Sequence, residues 1–384
     1  MLAISAYTTP EQRYAQEQRK QAELRAAAEQ RQRALEGQCR NYGFEPRTTA
    51  FSQCLLQLDQ AQKQGPSGKP ELLRPEVRRG KLLELIANLP PCLIGMEACS
   101  GAHYWAREFQ KFGHTVKLMA PKFVAPYRMG GKQGKNDAAD AAAICEAVTR
   151  PNMRFVPVKT VEQHGQLFVH RARQAYVDER TALLNRIRGL LSELGIVMAL
   201  SANTVRREAC KYLEDLPGWC NRVIGDLLSD LDKLDERIAQ YDHHIARMAK
   251  EDDRARQLMN LSGVGPITAS AIIATIGNGN GLDFKCGRQF SAWVGLTPSQ
   301  HSSGGKAKLG HITKAGDSYL RRMLVQGARS MLLRAKNKED AVSRWAVQLQ
   351  ERRGYWRAVV ALAAKNARMC WAMLQRGEAF KMPA

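Results

Sequence analysis

The stretch from residue 160 to residue 258 constrains the fold most, because about a hundred residues pass there without a convincing strand. Apolar residues recur at heptad-like spacing in LLNRIRGLLSELGIV (183–197) and again in VIGDLLSDLDKLDERIAQYDHHIARMAK (223–250). Such spacing gives a helix a narrow apolar seam that must be covered by a partner helix. Opposite charges four residues apart on the polar faces add local support. The expected structure over 160–257 is a pair of long antiparallel helices, a coiled coil, serving as a spacer. The regions on either side must then supply their own cores, for which 384 residues suffice.

Upstream, the pattern from Arg79 to residue 159 is that of an α/β domain. KLLELIANLP reads as a helix, CLIGME (92–97) as a buried strand, SGAHYWAREFQKFG as a helix and HTVKLMAP as a second strand. KNDAADAAAICEAVTR then reads as a helix and MRFVPV as a third strand. Strands alternating with helices imply a sheet with parallel pairs. Residues 1–78 differ in character. Gln, Glu, Arg and Ala fill 10–37, which favours a solvated helix or arm, and QGPSGKPELLRPE (64–76) is linker-like. Downstream, 258–384 opens with LMNLSGVGPITASAIIATIG, a glycine turn followed by an apolar helix, and continues as a mostly helical region.

Charge narrows the partners. The chain carries 58 Lys and Arg against 37 Asp and Glu, a net +21, and 17 against 4 of these fall between residues 285 and 370. An excess of that size favours a polyanion through counterion release, although a ribosomal or membrane-surface protein could share it. No run of about 18 apolar residues is present, so no membrane span is expected, and MLAISAYTTPEQRY lacks a secretory pattern. The expected location is the cytoplasm, on nucleic acid. The nine cysteines include no metal-spaced pair and read as buried free thiols.

Three groups of residues could carry chemistry. Asp137 and Asp140 stand three apart in a helical run, hence on one face, with Lys132 and Lys135 just before them. Glu97 ends an apolar strand, which directs it to the C-terminal edge of the sheet, where open α/β sheets build sites. Three converging carboxylates would suit Mg²⁺, and a metal pair can drive phosphodiester displacement. Equally, Asp137 could cap its helix and Glu97 form a salt bridge. In His301-Ser302-Ser303-Gly304-Gly305-Lys306, a serine beside glycines and basic groups could cradle a phosphate by its amides or attack phosphorus, or the segment could be only a loop. Gly263 and Gly265, in LSGVGP, could form a helix-hairpin-helix turn presenting amides to a DNA phosphate, or an ordinary tight turn. Lys306, Lys308, Lys314, Arg321 and Arg322 complete the candidate nucleic-acid contacts.

Taken together, GMEACSGAHYWARE, KNDAADAAAICEAVTRPNMRFVPV, SGVGPITA, RQFSAWVGLTPSQHSSGGKAKLGHITKAGDSYLRRMLVQGARS and AAKNARMCWAML closely resemble, in that order, the DEDD transposases of bacterial insertion sequences, a group that includes the Piv-type DNA invertases. The resemblance covers roughly 79–380. It implies a RuvC-like, RNase H-type domain, a coiled-coil middle and a C-terminal transposase domain with a nucleophilic serine. The family glutamate falls on Glu97 and its closing D-x-x-D on Asp137 and Asp140, all Mg²⁺ ligands by this reading. The serine falls on Ser303, with Ser302 as the neighbouring possibility. It further implies DNA as substrate and assembly as a homo-oligomer, a dimer or tetramer. For several members it also implies a structured bridge RNA as guide.

One departure stands out. Members of the group begin with a Gly-Ile-Asp-hydrophobic strand that supplies the first aspartate, followed by two more strands. Residues 1–78 offer a single aspartate, Asp59, in a helix-like context. The fold expectation is therefore a truncated RuvC-like domain, as from a host reading frame fused to a shortened transposase. Such a chain should support little strand exchange alone. The alternative is a repurposed, non-catalytic nucleic-acid binder; a Holliday-junction nuclease shares the carboxylates but leaves the Ser-Gly-Gly segment unexplained.

Overall fold

The computed structural model describes residues 77–128, 136–199, 201–276, 284–304 and 306–377, together with Arg33, Glu36, Gly37, Cys39, Arg40 and Pro46. Expectations for most of residues 1–78, including Asp59, and those for Lys132, Lys135 and Gly305, lie outside the described residues. The chain divides into two compact units, Met1–Val158 and Lys159–Ala384.

In the first unit, α1 (Leu82–Ala87) leads to β1 (Leu93–Glu97), α2 (Ala102–Lys111), β2 (Thr115–Met119), a short α3 (Pro121–Val124), α4 (Asp137–Val148) and β3 (Phe155–Val156). β1 and β2 pair in parallel with Glu97 beside Met119, as the strand-helix-strand pattern predicts. β3 pairs antiparallel with β2, through Leu118–Val156 and Met119–Phe155, so the sheet is mixed and the expected parallel pairing is that of β1 with β2. β3 is also only two residues long. Alternation along β1 and β2 divides the core into two layers. Ile94, Met96, Val116 and Leu118 pack with α1 and α2, while Met119 shares a second core with Ala143 and Ala147 of α4. Gly95 lets α4 come close, since a Cβ there would meet Val148 Cβ at 3.0 Å and Ile144 Cγ2 at 3.1 Å. Among the described residues, β1 has no neighbour on its other side and forms a sheet edge.

The second unit begins with α5 (Val161–Ser192), followed by α6 (Ala202–Tyr212) and α7 (Gly218–Glu251). A capping box starts α5: the Gln163 amide donates to Thr160 Oγ1 at 3.2 Å, and the Thr160 amide donates to Gln163 Oε1 at 3.0 Å. α5 and α7 run antiparallel. Arg180 Nη1 lies 2.9 Å from Asp235 Oδ1, and seven residues earlier Arg173 pairs with Asp242, seven residues later. Ile224, Leu231, Ile238 and Ile245, at strict seven-residue steps, are buried along α7. At one end of the pair Leu183, Ile187 and Leu191 of α5 share a core with Ile224, Leu228 and Leu231.

The chain continues through α8 (Asp253–Met259), α9 (Pro266–Ile276), α10 (Gly287–Trp293), β4 (Pro298–Ser303), β5 (Lys306–Ile312), α11 (Ser318–Ala335), α12 (Ala341–Arg353) and α13 (Tyr355–Arg376). α9 is apolar all round, and Thr268 to Ala274 are all buried, as such a helix requires. It packs on α5, α7, α8 and α11 at the centre of the unit. Aspartates start three of the surrounding helices. Asp252, Asp317 and Asp340 each accept from two amides of the first turn of α8, α11 and α12.

The cysteine expectation needs correction. Cys92, Cys99, Cys145, Cys210 and Cys286 are free but exposed, and among the described residues Cys370 is the one free cysteine that is buried. Cys39 is disulfide-bonded. An apolar run in sequence does not bury each member, because one side of a surface element always faces water.

Candidate functional site

The C-terminal edge of the first unit's sheet carries the carboxylates. Glu97 is the last residue of β1 and alternates onto the same face as Gly95, the face against which α4 packs. Asn136, not Asp137, caps α4: its Oδ1 accepts from the Ala139 amide at 2.8 Å. This leaves Asp137 exposed at the first helical position. Asp140, one turn on, is half-buried and paired with the guanidinium of Arg128. Arg128 belongs to the segment leaving the C-terminal end of β2, so this ion pair ties the start of α4 to the edge where β1 ends. The helix N-terminus adds favourable field for both aspartates. Among the described residues the cation beside Asp140 is Arg128, which sequence reasoning missed because it lies twelve residues away and outside any motif.

As arranged, these groups do not form a metal site. Among the described residues, no three His, Cys, Asp or Glu side chains stand close enough to hold a metal ion. The oxygens are of the hard type that Mg²⁺ takes. One of the three carboxylates, however, is already engaged by a guanidinium. Among the described residues Glu97 forms no ion pair.

In the second unit, the Ser-Gly-Gly segment is not a loop. It is the tip of a two-stranded ribbon, β4–β5, that turns at Gly304 with φ +56°. Pairing of Ser303 with Lys306 and of His301 with Lys308 sets His301, Ser303, Lys306 and Lys308 on one face. All four are exposed. The opposite face carries Gln300, Ser302 and Leu309, and there Gln300 Nε2 donates to Ser302 Oγ at 2.7 Å. The ribbon was legible in principle, since two glycines between short segments signal a tight hairpin. Its polar strands hid it, because exposure on both faces removes the apolar alternation that marks a strand.

The base of the ribbon is held by close backbone approaches. Gly295, at φ +79°, lies under the 314–316 turn, where a Cβ would meet Ala315 O at 2.2 Å. Lys314, exposed, adopts φ 52°, and its amide donates to Gly295 O at 3.2 Å. Arg321, one of the candidate nucleic-acid contacts, has a structural duty at this base. Its Nη1 donates to Val294 O at 2.8 Å and to Ala315 O at 3.2 Å, so the guanidinium clamps the ribbon's two feet. Arg322 is exposed, with Asp178 Oδ1 at 3.6 Å.

Gly263 likewise has a packing duty. It has φ +86°, and a Cβ on it would meet Gly327 O at 2.9 Å and Asn366 Nδ2 at 3.0 Å. The turn between α8 and α9 is thus seated against α11 and α13, where Asn366 Nδ2 donates to Ser262 O at 3.1 Å. Of the two glycines only Gly265 is exposed. The turn's tightness is explained by helix packing, the plainer of the two readings open for it.

His170, buried on α5, joins three helices. Its Nδ1 lies 3.0 Å from Tyr319 Oη on α11 and its Nε2 3.1 Å from Ser270 Oγ on α9. Burial, with the Arg173 charge, lowers its pKa to about 4, and burial pushes the Tyr319 phenol up to about 12. Tyr319 follows the Asp317 cap that ends the ribbon's return, so this neutral network supports the ribbon from beneath.

Comparison with known proteins adds what geometry alone does not. Residues 72–196 match the DEDD transposase domain of the IS110 type, and residues 255–343 match the family described as Transposase IS116/IS110/IS902. The chain is 44% identical over 317 residues to a probable family 20 transposase of Pseudomonas aeruginosa, covering 80% of this chain and 91% of that protein. It is 41% identical over 312 residues to the transposase for insertion sequence element IS1111A of Coxiella burnetii, covering 80% and 84%. With the transposase for insertion sequence element IS1328 of Yersinia enterocolitica it shares 38% over 311 residues, covering 80% and 91%. Two of these three relatives are named for the insertion sequence element they serve. The chain belongs to the IS116/IS110/IS902 family of transposases. No helix among the described residues is long and apolar enough to cross a membrane.

Proposed function

We propose that the chain acts on DNA as an insertion-sequence transposase, with Ser303 attacking the phosphodiester backbone. The observation that carries this reading is the exposed β4–β5 ribbon, which projects a hydroxyl among Lys306, Lys308 and His301 with no acidic residue between 298 and 312. A two-stranded ribbon fits a DNA groove, and its ammonium groups meet phosphates. Lys314, Arg322 and the backbone of the exposed Gly265 are further candidate DNA contacts in this reading. The α5–α7 pair, with its seven-residue repeat, serves as a coiled-coil spacer and as a surface for assembly into a homo-oligomer. A structured guide RNA would bind the same excess of positive charge.

In this proposal the first unit is a RuvC-like domain in which Glu97, Asp137 and Asp140 represent the family's acidic set, and a DEDD domain works with a divalent metal such as Mg²⁺. Asp140 is held by Arg128, and Asp59 is the one aspartate that residues 1–78 offer in place of the first of the set. Strand exchange by this chain alone is expected to be weak. The same observation favours a second reading, a repurposed transposase that binds nucleic acid without cutting it. A plasmid strand-cleavage assay with and without Mg²⁺ separates the two. Cleavage that needs the metal and disappears in Ser303→Ala supports the first, whereas salt-sensitive binding indifferent to both supports the second.

A further inference from the structure

We infer that the exposed indole of Trp356, backed by the guanidinium of Arg329, is a stacking platform for one unpaired base of a single-stranded nucleic acid. This rests on the DNA-acting reading above and adds to it a second surface and a single-stranded ligand. Trp356 stands in the first turn of α13, just after the Gly354 turn that separates α13 from α12. It is 62% exposed, and it is nevertheless held in place. The Arg329 guanidinium of α11 lies over the ring, 5.4 Å from its centroid, and the Tyr355 ring meets it edge-on at 5.3 Å. Arg329 is fixed in turn: its Nη1 donates to Gln326 Oε1 at 3.0 Å, and its Nε is buried without a hydrogen-bond partner among the described residues. The cation covers one face of the indole, so the exposure belongs to the other face and the edge. Leu333, one turn along α11 from Arg329, is 72% exposed and adds apolar surface on the same side of that helix.

Charge decides what such a surface receives. α11 carries four arginines and no Asp or Glu, and Arg352, Arg353 and Arg357, all exposed, flank the indole in sequence. Glu351 is the one acid between residues 341 and 376. Arginines in such excess over acids suit a polyanion, whereas an apolar protein partner would have to desolvate them unpaired. A flat ring with cations at its rim matches an unpaired base and the phosphates on either side of it. A base inside a duplex has both faces already stacked and offers none to the indole. Arg329 is committed to the ring, so the phosphates fall to Arg352, Arg353 and Arg357.

Fluorescence anisotropy of the full chain with a labelled oligothymidylate of about 20 nucleotides, against a duplex of the same length, tests this. Trp356→Ala should weaken binding to the single strand by about five- to a hundredfold, the loss expected for one base–aromatic stack, and should change duplex binding by less than about twofold. The slope of log K against log salt should stay as in the parent, because an indole releases no counterions. Trp356→Phe, which keeps a ring, should restore most of the single-strand binding. Single-strand affinity equal to the parent's, an equal loss on strand and duplex, or a Trp356→Phe variant as weak as Trp356→Ala would overturn the inference. Loss of self-association in Trp356→Ala, read by light scattering, would give the face to a second copy and overturn it as well. Ser303-dependent plasmid cleavage by a chain whose strand binding ignores Trp356 sinks this inference alone. Trp356-dependent strand binding by a chain that never cuts sinks the transposase reading alone.

Discussion

Acidification should destabilise the second unit through His170. The folded unit holds this imidazole neutral, with a pKa of about 4 against 6.5 for the free side chain. The unfolded chain therefore binds more protons across this range, and the stability His170 contributes is present above pH 6.5 and lost as pH falls through 4. That difference corresponds to about 3 kcal/mol in full, of which about 2 kcal/mol should be lost between pH 7 and pH 5. Five of the six tryptophans lie in the second unit, so urea unfolding followed by tryptophan fluorescence reports mainly on it. Other groups titrate as well, so the informative comparison is with His170→Gln, which keeps hydrogen-bonding capacity toward Ser270 and Tyr319 but cannot take a proton. The variant should be less stable at pH 7 and should lose about 2 kcal/mol less than the parent on going to pH 5. Equal losses in the two proteins would refute the desolvated-imidazole account.

Four further outcomes follow from the geometry. Gly327→Ala would put a Cβ 1.8 Å from the Gly263 carbonyl oxygen, and a backbone contact of that kind should lower the urea midpoint by the equivalent of about 1–3 kcal/mol. Asp252→Ala removes the cap of α8 and should cost about 1 kcal/mol, measured in the same way, whereas Asp252→Asn should cost less. Arg128→Ala leaves Asp140 half-buried without its cation, for a loss of about 2 kcal/mol in the first unit that limited proteolysis at rising urea would register. Replacing Lys306 and Lys308 together by Ala should weaken non-specific DNA binding and reduce the slope of log K against log salt by about 2, readable by fluorescence anisotropy.

Much of this molecule is written in local pattern. The helices over 82–87, 102–111 and 137–148, the parallel β1–β2 pair and the two long helices follow from periodicity, since each buries one side and the period reports which. What was not legible depended on contacts between distant residues. Arg128 meets Asp140 only because the chain folds back after β2, and Arg321 reaches Val294 and Ala315 because the ribbon's feet converge there. Nothing in the tetrad around Gly263 announces that Gly327 will lie against it.

The sequence by itself determined the family, the basic character of the C-terminal half and the presence of a serine between imidazole and lysines, because these are properties of residue type and order. Only the tertiary structure decided which serine faces the lysines, which glycine packs and which cation holds Asp140. The physical reason is that a strand's side chains take opposite faces in turn, and only pairing with β5 brings Lys306 and Lys308 onto the face that Ser303 shares with His301.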